Sequence, residues 1–111
     1  MAPNSLQGTS FPPGTIVLVT LNNPREKFWG AILELAEAGL SMRGIDLNSF
    51  DDFVRMVRAS EPFTPAAVFF PMHRVERVEL DCSNGAIPSL SEQFQTKTGA
   101  DPAQLLEGES D

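Results

Sequence analysis

The sequence predicts a mainly β protein. It is a small five-stranded barrel with a helix inserted between strands three and four and a short helical C-terminal tail. Three observations lead there. Five short runs are rich in β-branched and aromatic residues or alternate in polarity. Between them lie closely spaced turn residues, and Gly and Pro together make 17 of 111 residues. Only one stretch before the tail carries a clear helical stripe.

The first run, TIVLVTL (15–21), is short and β-branched, with apolar residues on both faces. A strand covered on both sides implies a closed barrel or an interface. Asn-Asn-Pro in NNPREK (22–27) is turn chemistry. FWGAILELA (28–36) reads as the second strand, an aromatic pair and Gly30 outweighing the helix formers of AILELAEA. Gly30 inside a strand marks a bend or a close backbone approach. LSMRGIDL (40–47) is the third strand, with a bulge expected at Gly44.

In NSFDDFVRMVRAS, Phe50, Phe53, Val54 and Val57 fall at i, i+3, i+4 and i+7, which is one face of a helix. Ser49 with Asp52 resembles a capping box, Asp51 and Asp52 suit the positive helix start, and Arg55 and Arg58 suit its end. AAVFFPM (66–72) and RVERVELD (74–81) are the fourth and fifth strands. PSLSEQFQTKTG holds a short helix capped by Ser89 or Ser91. Asp101-Pro102 starts another turn whose Leu105 and Leu106 dock on the barrel. The organisation expected is a flexible arm over 1–13, a barrel domain over 14–81 and an acidic, partly helical tail over 82–111, frayed at EGESD.

The formal net charge is −7. Residues 11–81 hold seven basic and ten acidic residues, whereas the segment after Asp81 has one lysine against five acids. An acidic chain is repelled by phosphate backbones and anionic lipid, which disfavours nucleic acid as a partner. No run of about 18 apolar residues suits a membrane span. MAPNSLQGTS lacks the basic and apolar segments of a signal peptide, and a single cysteine precludes an internal disulfide. A cytoplasmic location is therefore expected.

Catalysis finds little support. His73 is the only histidine, and as a general base it needs a partner within hydrogen-bond reach. Cys82 lies at the far end of the fifth strand, roughly 25–30 Å away at about 3.3 Å per residue. His73 is better explained as a corner residue. One Cys and one His do not make a zinc set, Asp51-Asp52 belongs to the helix start, and no glycine-rich phosphate loop is present. No catalytic residue, metal ligand or cofactor is expected. The aromatic residues are eight Phe and one Trp, many for so small a core. Some should face outward and mark an interface. The residues singled out for binding a protein or nucleic acid are Phe28, Trp29, Arg43, Phe69, Phe70, His73 and Arg74.

The order of elements resembles the Sm-like (Hfq-like) small barrels, a branch of the SH3-like barrels. The resemblance spans about residues 14–81. It rests on Val17-Leu18-Val19-Thr20-Leu21, then Gly30-Ala31-Ile32-Leu33 in a bent second strand, and on VFFPMHRVERVEL with a one-turn corner at Pro71-Met72-His73-Arg74. It implies a non-enzymatic binding module that self-associates through its strand edges or an aromatic patch, with a protein partner or a second copy as the expected partner. RNA binding of the Sm-like kind is the alternative, and an enzyme using His73 a remote one. Glu37-Ala38-Gly39-Leu40-Ser41 stands where the family carries its Asp and Asn, and the family's Arg-Gly before the fourth turn is absent. Its helix usually precedes the first strand, unlike the one here.

Overall fold

A computed structural model describes residues 11–107. Five antiparallel strands form one sheet: β1 (Ile16–Leu21), β2 (Glu26–Ala36), β3 (Gly39–Asp46), β4 (Ala66–Pro71) and β5 (Val75–Leu80), in the order β4-β3-β2-β1-β5. Helix α1 (Phe50–Arg58) joins β3 to β4, and α2 (Leu90–Thr98) and α3 (Pro102–Glu107) follow the sheet. The helix between strands three and four and the tail helices thus match the sequence-based expectation. Residues 1–10 of the arm expected over 1–13, and the last residues, 108–111, lie outside the described residues.

The expected barrel is not closed. β4 pairs only with β3 and β5 only with β1, so both remain edges. The sheet is nonetheless strongly curled, as connectivity requires. In a flat sheet of this order β4 and β5 run the same way. The end of β4 and the start of β5 would then lie at opposite ends, roughly 19 Å apart across four strand spacings. The link is a three-residue 3-10 turn, Met72–Arg74. Even fully extended, it spans at most about 15 Å. The sheet must bend back for the chain to make this corner, yet no ladder joins the two edges.

Curling gives the sheet an inner and an outer face. Alternation sends Val17, Val19 and Leu21 inward with Ile32, Leu40 and Met42, and all five strands contribute to this cluster through Phe28, Val68, Phe70, Val75 and Val78. Trp29, Ala31 and Ile45 point outward and are covered by Phe50, Phe53 and Val54 of α1, Phe94 of α2 and Leu106 of α3. Ile16 and Leu18 pack on this second cluster, so both faces of β1 are covered within the chain itself. The apolar stripe read on α1 is the face laid on Trp29, with ring centroids of Trp29 and Phe50 5.2 Å apart.

Two local expectations are corrected. Gly44 carries no bulge: it stands directly opposite Gly30, and the register shift falls between Ile32 and Glu34. A Cβ on Gly30 would come 2.7 Å from the Gly44 Cα and nearer still to the Arg43 carbonyl oxygen, so the glycines permit β2 and β3 to cross closely where the sheet bends. The helix start is also earlier than Ser49. Asp46 caps a 3-10 turn (Leu47–Ser49) by accepting from Asn48 N at 2.8 Å, and that turn runs into α1. Ser49 is already turned (φ −96°, ψ 5°), out of the extended conformation a capping side chain needs, and Asp52 pairs with Arg55 instead. By contrast, Ser89 and Glu92 form a full capping box on α2, and Gly99 at φ 77° closes it.

Candidate interaction edge and groove

β4, AAVFFP, contains no charged residue. Its backbone pairs with β3 on one side only, from Gly39 opposite Pro71 to Gly44 opposite Ala66. A free row of N–H and C=O groups is a template for another strand, and proteins that avoid such pairing place charges or bulges on the edge. On β4 neither is present, and the one edge-blunting residue, Pro71, stands at its very end. Val68 and Phe70 turn to the inner cluster, whereas Ala67 and Phe69 turn outward. Phe69 is 54% exposed. Gly39 makes room for its ring, because a Cβ there would lie 2.6 Å from Phe69 Cζ.

Next to the start of β4 lies a groove of about 450 Å³ between α1 and the sheet. Its walls are chiefly Phe28, Ile45, Phe53, Met56, Phe63 and Val68, with Asp46 and Asp52 also lining it. Phe63 packs on Phe53 at 4.9 Å between centroids and remains partly exposed. Arg43, opposite Ala67, donates from Nη1 to the Pro65 carbonyl at 3.3 Å and so fixes the segment entering β4. The groove and the edge share Ala66 and Val68 and form one continuous surface.

The residues singled out from sequence do not converge on one surface. Trp29 is fully buried among Phe50, Phe53 and Phe94. Phe28 and Phe70 are half-buried and meet edge to face at 4.9 Å in the inner core. Phe69 is on the open edge and Arg43 just behind it. His73 is exposed on the corner turn. Arg74 is engaged: its Nη2 donates to the Pro24 carbonyl at 3.2 Å and to Glu26 Oε1 at 3.0 Å, locking the corner to the β1–β2 turn. Neighbouring cations are also matched, Arg25 with Glu76 at 3.8 Å and Arg77 with Glu79 at 3.6 Å. His73 and Cys82 flank opposite ends of β5, and no cluster of three or more His, Cys, Asp or Glu suited to a metal occurs among the described residues.

Asp81 is the polar residue that sequence reading missed. Its Oδ2 accepts from Trp29 Nε1 (3.0 Å), Ser91 N (2.9 Å) and Ser91 Oγ (2.7 Å), and its Oδ1 from Leu90 N (2.9 Å). One carboxylate thus ties the end of β5 to the start of α2 and orients the core tryptophan. The signal available was the lone Trp, whose buried N–H requires an acceptor.

Among the described residues no helix is long and apolar enough to cross a membrane. Compared with protein-family models, curated proteins and solved structures, the chain matches none.

Proposed function

We propose that this chain is a non-enzymatic interaction module of the small-barrel kind that self-associates through its open strand edges. One observation carries the reading: β4 is an uncharged, unpaired edge flanked by the exposed Phe69 and an apolar groove. Such an edge gives affinity through main-chain hydrogen bonds and specificity through side-chain pockets. The strand order and the one-turn corner support the resemblance to Sm-like and SH3-like barrels. RNA binding ranks below protein association, because Arg25, Arg74 and Arg77 are each paired with a carboxylate. The formal net charge of −7 also repels a phosphate backbone.

Size-exclusion chromatography with light scattering tests this reading, with the 260/280 nm ratio recorded across the peak. A mass above the 12.1 kDa of one chain with a protein-like ratio is expected. A monomer at every concentration contradicts self-association, and a raised ratio that falls with salt points to RNA instead.

A further inference from the structure

We propose that the groove between α1 and the sheet binds a small organic amine, with an apolar body seated on the phenyl rings and an ammonium held by Asp46 and Asp52. The inference goes beyond the association reading above and stands whether or not the chain self-associates.

Sites for small molecules are concavities of roughly 300–1,000 Å³, chiefly apolar, with a few polar groups that orient the ligand. The groove, at about 450 Å³, has that size and character. The helix inserted between β3 and β4 creates it. α1 lies on Trp29 and brings Phe53 and Met56 beside Ile45 of β3, and the segment returning to β4 sets Phe63 against Phe53. Phe28 and Val68 of the sheet complete the apolar walls. The small residues Gly44, Ser49, Thr64 and Ala66 fill the rest of the lining and leave the space between the large ones open.

These walls are held before any ligand arrives. Phe53 is 2% exposed and stacks on Phe94 at 5.1 Å between centroids. Phe28 is fixed edge to face by Phe70, and Arg43 anchors the returning segment at the Pro65 carbonyl. A pre-formed site spares the cost of ordering it on binding.

Charge selects the ligand. The charged residues of the lining are Asp46 and Asp52, and none is basic. Asp46 accepts from Asn48 N through Oδ1 and takes part in no ion pair among the described residues. Asp52 also uses Oδ1, toward Arg55, in an exposed pair of the kind that contributes little. Oδ2 of each has no protein donor among the described residues. The positive start of α1 amounts to about half a charge and offsets only part of two carboxylates. An anion would meet two like charges, and a neutral molecule gains nothing from them. An ammonium gains charge-assisted hydrogen bonds and, over a phenyl face, a cation–π contact.

The test titrates isotope-labelled full-length chain with phenylbutylamine, phenylbutanol and phenylbutyrate, which share one apolar body, and follows the amide resonances. The amine should shift Ile45, Asp52, Phe53, Phe63 and Val68 and bind at least tenfold tighter than the alcohol or the carboxylate. Asp46→Asn combined with Asp52→Asn should remove that preference and leave alcohol binding unchanged; asparagine caps a turn as well as aspartate does, so the fold is kept. Ala66 is exposed at the groove, and Ala66→Leu should fill the space and weaken amine binding at least tenfold. Circular dichroism checks that each variant is folded. Equal binding of the three compounds, an amine preference that survives both asparagines, binding undiminished by Ala66→Leu, shifts confined to other surfaces, or no shift at millimolar amine would each overturn the proposal.

Discussion

Replacing Asp81 by alanine removes an acceptor for four donors at once. The carboxylate takes hydrogen bonds from Trp29 Nε1, Leu90 N, Ser91 N and Ser91 Oγ at 2.7–3.0 Å. Ser91 Oγ can turn to another acceptor, and Ser89 keeps its own cap on Glu92 N. The indole N–H of the fully buried Trp29 has no such escape, and leaving it unpaired costs about 1–3 kcal/mol. Losing the bonds to the first turn of α2 adds about 1 kcal/mol, the usual scale of a helix cap. The expected destabilisation is about 3 kcal/mol. With a urea slope of about 2 kcal/mol/M, the unfolding midpoint falls by about 1.5 M at unchanged slope. Trp29 is the only tryptophan and the chain has no tyrosine, so intrinsic fluorescence reads this environment directly. Asp81→Asn, which keeps one acceptor but aims an NH₂ at donors, should fall between. In a double-mutant cycle with Trp29→Phe, the coupling should reach about 1 kcal/mol. A loss below 1 kcal/mol for Asp81→Ala, with native fluorescence unchanged, would refute the reasoning.

Three further outcomes follow from the packing. Gly44→Ala should cost about 3 kcal/mol or prevent folding, because its Cβ would run into the backbone of Trp29 and lie 2.7 Å from the Gly30 Cα; thermal unfolding checks it, and an unchanged melting temperature contradicts the close crossing. Thr20 is buried with an Oγ1 that has no hydrogen-bond partner among the described residues. Thr20→Val should therefore stabilise by about 1 kcal/mol, a rise of roughly 4 °C in a melt. A chain ending at Asp81 loses Phe94 and Leu106 from the outer core and should give an unfolded or aggregated product by circular dichroism and light scattering; a cooperative melt like that of the full chain would show that α2 and α3 are dispensable.

Local chemistry made much of this fold legible. The β-branched alternation of 15–21, the stripe at Phe50, Phe53, Val54 and Val57, and the Ser89 cap are written within a turn or two of chain, and each element formed as expected. The FWGAILELA segment formed a strand although its residues suit a helix, because Gly30 and the flanking aromatics belong to a sheet crossing. The features not legible are long-range. Trp29 meets Asp81 across 52 residues, and nothing near either one announces the other. Trp29 and Phe69 both looked like surface aromatics; pairing partners and the tail helices, not composition, put one at 0% exposure and the other at 54%. Closure was misjudged for the same reason, since a sheet that curls to make its corner need not pair its edges. Of the binding candidates, Phe69 lies on the open edge, and Arg43 braces it from behind.

Hydrogen exchange of the backbone amides, compared at low and high protein concentration, tests the central claim most directly. Edge association predicts that the amides of Ala67 and Phe69, which alternation turns away from β3 in the single chain, gain protection as concentration rises, and that the outer amides of β5 do so in step. Exchange across β4 and β5 that is identical at all concentrations would contradict the account.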